Sequence, residues 1–168
     1  MVENILRRPG RSAMMLVALT GAAVLTLANG NVLTAQEVDK TSAGKVKAKA
    51  ESAGPNASGK QTITLTLDID KGWHLHANPV KNETFEPNKT VVEVKGTVKP
   101  QSVTVKYPAG TVRDDGLGKY MAYEGRVTIP VEVQRAAGDT GPLQVVISVN
   151  ACDKSRCLAP GKVTITVR

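Results

Sequence analysis

Only five of the 168 residues are aromatic (Trp73, Phe85, Tyr107, Tyr120 and Tyr123), and no lysine or arginine cluster is interleaved with them. Nucleic-acid binding needs stacking platforms beside a basic groove, so this scarcity excludes it, and the formal net charge of +7 is read as a solvated surface. There is no phosphate-cradling glycine loop and no Ser/His/Asp set, and no carboxylate pair stands out from ordinary surface charge. Hydrolase and kinase chemistry therefore have no residues to carry them. Beyond residue 35 no segment has a convincing helical period. Cysteine, like histidine, occurs only twice in the whole chain, as Cys152 and Cys157.

The amino terminus reads as a targeting segment. Arg7, Arg8 and Arg11 form a basic region ahead of an apolar run from Met14 to Ala28, which is short for a membrane span. Small residues follow, and cleavage after Gly30 or after Ala35 both fit. Residues 1–35 are expected to be a general secretion signal, with an uncleaved anchor as the alternative; after cleavage no stable membrane insertion is expected. Their removal lowers the net charge to +5. Export to the periplasm or the exterior places the two cysteines in an oxidising compartment, where a lone pair is bonded unless something reduces it.

Residues 36–59, rich in Lys, Ala, Ser and Gly, read as a flexible linker; the alternative is an added edge strand around Val46. From Gln61 the pattern changes. Ile63, Leu65, Leu67 and Ile69 alternate with polar residues, as a strand with one buried face requires. The same period-2 pattern returns at 92–98, 103–107, 127–133, 143–149 and 163–167, with turn residues between. Six or seven short strands over residues 60–168 predict one all-β domain, an immunoglobulin-like antiparallel β-sandwich. Pro130, inside the strand at 127–133, predicts an edge position or a bulge.

Three stretches could carry chemistry. In Ala151-Cys152-Asp-Lys-Ser-Arg-Cys157-Leu-Ala-Pro160 the cysteines can face each other across the mouth of a hairpin. A loop this short gains only about 2 kcal/mol from a disulfide, against nearly 5 for a loop of about 100 residues. Redox exchange and a plain staple both remain open. Lys154 and Arg156 would favour a thiolate there, and Asp153 would oppose it. The second stretch, Gly72-Trp73-His74-Leu75-His76, holds both histidines, which a spacing of two puts on one side of a strand. They could flank a reactive sulfur or, with the thiols, bind copper or zinc. The third, Arg113-Asp-Asp-Gly-Leu-Gly-Lys-Tyr120, reads as a polar loop able to lie over the cysteine turn as a lid.

Together, and in this order, the segments Gly72–His76, Gly118–Tyr123 leading into Arg126–Val131, and Ala151–Pro160 resemble the amino-terminal periplasmic domain of the thiol:disulfide interchange protein DsbD, over about residues 61–168. The resemblance implies an immunoglobulin-like sandwich that takes electrons from a thioredoxin-like domain and passes them to periplasmic thiol proteins. It implies that Cys157 attacks or is attacked by the partner's sulfur and that Cys152 resolves the mixed disulfide. His74 and His76 fall where the family's better-known member has two tyrosines beside its cysteines, and Asp114 and Asp115 fall at the start of its cap loop. Gly116 replaces the bulky cap aromatic, so shielding would fall to Leu117. The chain stops at Arg168 with no membrane-spanning electron carrier after it, so the electron source is expected to be a separate protein. The expectation is thus a stand-alone exchange module, a possible component of a protein-disulfide reductase, that needs no cofactor. Its alternatives are a non-catalytic immunoglobulin-like binding domain with a structural disulfide, and the copper or zinc site through His74, His76 and the thiols.

Overall fold

The computed structural model describes residues 40–116 and 118–168; the expected signal segment 1–35 and Leu117 lie outside the described residues. The strands are β1 (Val46–Ser52), β2 (Lys60–Ile69), β3 (His74–His76), β4 (Val91–Gly96), β5 (Ser102–Val105), β6 (Thr111–Asp114), β7 (Lys119–Glu124), β8 (Arg126–Gln134), β9 (Leu143–Val149), β10 (Ala151–Cys152) and β11 (Gly161–Val167). They form an immunoglobulin-like antiparallel β-sandwich with sheet orders β1-β2-β8-β5, β11-β9-β4 and β10-β3-β7-β6.

The long alternating runs became strands for the reason their pattern implies. Along β2, β8 and β9 every second residue is buried. Ile63, Leu65, Leu67, Ile129, Val131, Val133, Leu143, Val145 and Ile147 are fully enclosed in one continuous core. Each such side chain contributes about 1.5–3 kcal/mol by leaving water, so this core can specify the sandwich without help from a disulfide.

Three expectations need correction. Residues 36–59 are not all linker, because β1 pairs with β2 in a full register from Val46↔Ile69 to Ser52↔Ile63. Its inward face is one valine and two alanines, Ala48 and Ala50, too weakly apolar to stand out in the sequence, while Lys47, Lys49 and Glu51 face outward at the sheet edge. The stretch Arg113–Tyr120 is a hairpin as much as a loop: β6 and β7 pair as Arg113↔Tyr120 and Asp114↔Lys119. Gly116 (φ 84°) and Gly118 (φ 96°) hold the left-handed backbone of the turn between them. Pro130, finally, lies in an interior strand. It sits opposite Thr64 of β2, and its carbonyl accepts from the Lys106 amide at 2.9 Å. A strand residue points its nitrogen and its carbonyl to the same side, so the missing donor faces the end of β5, which pairs only with Val131–Gln134.

Candidate functional site

β3 is three residues long, yet its alternation sorts the site. Cys152 sits opposite His74 and Ala151 opposite Leu75. On the other flank, Leu75 faces Tyr123 and His76 faces Ala122 of β7. Directly opposed residues share a face of the sheet. Leu75, Ala151 and Tyr123 therefore turn together into the main core, and Cys152, His74, His76 and Tyr120 turn together to the other face.

That face is covered. A short 3-10 segment, Glu83–Asn88, lays Phe85 on His76 with ring centroids 4.8 Å apart and against Tyr120 at 4.6 Å. His74 and His76 are consequently 1% and 2% exposed.

The buried polar groups form a chain with assignable protons. Tyr120 Oη donates to the Asp115 carboxylate and lies 2.8 Å from His74 Nε2. A hydroxyl has one proton and a carboxylate only accepts, so Tyr120 spends its proton on Asp115 and receives one from His74. His74 is thereby the Nε2–H tautomer. Arg113 closes the network from β6, bonded to Glu124 and with Nε 4.0 Å from Asp115. Burial, and next the bond to Asp115, pushes the Tyr120 phenol far above its ordinary value. At His76, Nδ1 is buried without a hydrogen bond, while the Asn88 backbone and the Asn150 side chain act on the ring as hydrogen-bonding groups.

The cysteines are bonded to each other, as the hairpin-mouth spacing allows. Their Cα atoms are 4.0 Å apart. The bridge is framed by Leu158 N–H to Ala151 O and by Asp153 N–H to Arg156 O, each 2.9 Å. Asp153 fixes the turn: its Oδ1 accepts from the Ser155 amide at 2.7 Å and the Arg156 amide at 2.9 Å. These donors hold its carboxyl below the usual carboxylate range. The two sulfurs differ in access, since Cys152 is 3% exposed and Cys157 is exposed. Asn150 stands behind Cys152. Its Nδ2 donates to the Leu158 carbonyl at 2.9 Å, which fixes the amide so that Oδ1 faces Cys152 Sγ at 3.7 Å. A carbonyl oxygen there disfavours a thiolate on Cys152.

A cleft of about 180 Å³ joins these parts, bordered by both cysteines, the turn between them, His76, Phe85, Asp115 and Tyr120. Of the residues singled out in the sequence, the fold thus brings together Cys152, Cys157, His76 and Asp115, with His74 attached through Tyr120. Asp114 does not border the cleft; it is exposed in β6 and bonds the Gly116 amide. Leu117 lies outside the described residues. No group of three or more His, Cys, Asp and Glu among the described residues converges to hold a metal ion.

Four participants were missed in the sequence. Tyr120 and Asn150 each sit on a chemistry-bearing alternate position, a signal that periodicity could have yielded. Phe85 and Ser42 gave none, because they arrive from distant chain segments. Ser42, fully buried in a single 3-10 turn, donates from Oγ to the Ala159 carbonyl and accepts from the Ala151 amide, both at 2.8 Å. Gly161 is bare so that this turn can approach; a Cβ there would strike the Ala43 backbone. Ser42→Ala orphans the buried Ala151 donor next to Cys152 and is expected to cost about 1–2 kcal/mol. Hydrogen exchange should then quicken at Ala151, and an unchanged rate would show that the turn does not brace the hairpin.

The histidines also set a pH dependence. Burial, with Arg113 next at His74, drives both imidazoles below their ordinary value of 6.5. They stay neutral in the fold, while the unfolded chain takes up protons below pH 6.5. Their contribution to stability is therefore complete above that pH and is lost as pH falls through the folded values. Two such groups give at most about 2.7 kcal/mol per pH unit. Urea denaturation between pH 7.5 and 5 should show this slope, and the His74→Gln, His76→Gln double variant should largely lose it.

An immunoglobulin-like sandwich with a cysteine pair at the edge of one sheet, one sulfur buried and the other exposed, fits the class of thiol:disulfide interchange domains. The chain belongs to the family described as "Thiol:disulfide interchange protein DsbD, N-terminal", which matches residues 40–168. Among solved structures it is similar to the N-terminal periplasmic domain of ScsB from Proteus mirabilis, at 16% identity and a TM-score of 0.58. That match covers 73% of this chain and 46% of the other, so the chain spans about half that relative's length. A second similar structure is the DsbD N-terminal domain of Neisseria meningitidis in its reduced form, at 12% identity, 70% and 82% coverage and a TM-score of 0.44. A third is the complex of the DsbD and PilB N-terminal domains from the same organism, at 12% identity, 70% and 80% coverage and a TM-score of 0.44. None of the curated proteins matches the sequence. No helix among the described residues is long and apolar enough to cross a membrane.

Proposed function

We propose that the protein is an exported interchange module that passes electrons between periplasmic thiol proteins through a reversible Cys152–Cys157 disulfide. The observation that carries this reading is the unequal exposure of the two sulfurs within one cleft. A partner thiolate attacks Cys157 Sγ, the Cys152–Cys157 bond breaks, and a mixed disulfide forms while Cys152 leaves as a thiolate and takes a proton. The partner's second thiol then attacks the mixed disulfide and releases Cys157. Two electrons and two protons have entered the pair, and the reverse sequence delivers them to an oxidised protein. Thioredoxin-fold dithiols are suited to the first step.

Titration of the pair against glutathione or thioredoxin tests it. A reduction potential above about −300 mV is expected, whereas a lower value marks a structural bond and favours a non-catalytic immunoglobulin-like domain.

A further inference from the structure

Once the disulfide is reduced, Cys152 is poorly placed to ionise. It is 97% withdrawn from water, and the Asn150 Oδ1 fixed at 3.7 Å from its sulfur favours the thiol by accepting its proton. Resolution of a mixed disulfide nevertheless needs a Cys152 thiolate. Some group in the cleft has to remove the proton.

The surroundings reduce the choice. Around the cleft the carboxylates Asp115 and Asp153 stand against the cations Lys154 and Arg156, so the fixed charges cancel. Tyr120 is a donor committed to Asp115, and its burial keeps it protonated. His74, on the same strand as His76, has Nε2 engaged by Tyr120. His76 alone combines a place in the cleft wall with a buried ring nitrogen, Nδ1, that has no hydrogen bond of its own, and the Asn150 side chain that faces Cys152 Sγ also acts on its ring. Phe85 stacked on its face holds the ring in place. The register puts its side chain on the same face as Cys152.

We propose that His76 is the proton acceptor and donor for Cys152. In resolution, His76 takes the proton from the Cys152 thiol; the thiolate attacks the Cys157 sulfur of the mixed disulfide, the Cys152–Cys157 bond forms, and the partner leaves as a thiolate. In the opposite direction Cys152 departs as a thiolate and takes its proton from His76, whose ring is recharged with a proton from solvent water. Burial supports this assignment by keeping the ring neutral, and so basic, at pH 7. The proposal rests on the exchange reading above.

Reaction of the reduced domain with the chromogenic disulfide DTNB separates the two. The first thionitrobenzoate is released by attack of Cys157 and depends on reagent concentration. The second is released by Cys152 closing the disulfide and does not. In His76→Phe the second phase should slow about 10- to 100-fold at pH 7 and rise in proportion to hydroxide, while the first phase stays within about twofold. The wild type should instead level off above the titration of one group. His76→Gln, which keeps a polar side chain of similar size, should show the same loss, and it decides the matter if the phenylalanine variant does not fold. Equal second phases in wild type and variants overturn the role of His76 and leave exchange standing. No second phase in the wild type overturns both.

Discussion

Serine in place of Cys157 is expected to abolish disulfide exchange, and the Cys152 thiol it leaves should react with a water-soluble disulfide on the order of 100-fold more slowly than Cys157 does in Cys152→Ser. The asymmetry comes from the hairpin. Cys152 closes β10 against β3 and lies under the cleft wall, whereas Cys157 stands on the outgoing arm in solvent. A reagent reaches Cys152 only after local opening, and a factor of 100 corresponds to about 2.7 kcal/mol of opening free energy. Conversely, Cys152→Ser should accumulate a covalent complex with a thioredoxin-fold partner that keeps only its attacking cysteine, activated as a thionitrobenzoate disulfide, because Cys157 displaces thionitrobenzoate and neither protein has a second thiol to reverse the bond. Mass spectrometry of the trapped species would locate the bond. If Cys152 proves the faster thiol, the order of attack is reversed, and with it the assignment of which cysteine needs a base.

Removing the carboxylate of Asp139 should lower stability by about 3 kcal/mol, or Tm by on the order of 10 °C. Arg135 is 1% exposed, with Nε and Nη2 bonded to Asp139 Oδ2 at 3.2 and 2.9 Å. In Asp139→Ala a buried cation is left with two neutral acceptors, Gln61 Oε1 at 2.7 Å and the Gly141 carbonyl. A buried charge that has lost its counter-ion is costly because neither water nor another anion replaces it. Substituting both partners, as in Arg135→Met with Asp139→Asn, should recover most of the loss. None of these residues borders the cysteine cleft, so exchange rates below the melting transition should be unaltered. Urea denaturation followed in parallel with thiol exchange checks both statements, and a change in exchange rate would mean that the two ends of the sandwich are coupled.

The two results bear on different layers of the molecule, and so does what could be read beforehand. Alternating apolar residues identified β2, β4, β5, β8, β9 and β11, because a sandwich strand with one buried face writes its geometry directly into period 2. β6 and β7 escaped notice, and β1 was legible only as the alternative edge strand around Val46, for a shared reason. Ala48 and Ala50 bury little apolar area, and Arg113 and Glu124 make an edge sheet polar on the face that carries the site. Pattern is informative where one face meets hydrocarbon, and it fades where both faces meet polar groups.

The site divides the same way. Five residues of separation bring Cys152 and Cys157 across a hairpin, and a spacing of two puts His74 and His76 on one strand face; both are local consequences of backbone geometry and were contained in the sequence. Which face that was, and that it is buried, depended on Phe85 arriving from the segment after β3 and on Tyr120 reaching across from β7. The bracing by Ser42 also comes from a segment distant in sequence, whereas the orientation of Asn150 is set within the hairpin by the Leu158 carbonyl. Local order dictates which side chains point together, because it is fixed by the φ and ψ of a few residues. Only tertiary packing decides which of them meet water, because burial is set by whatever the rest of the chain lays on top.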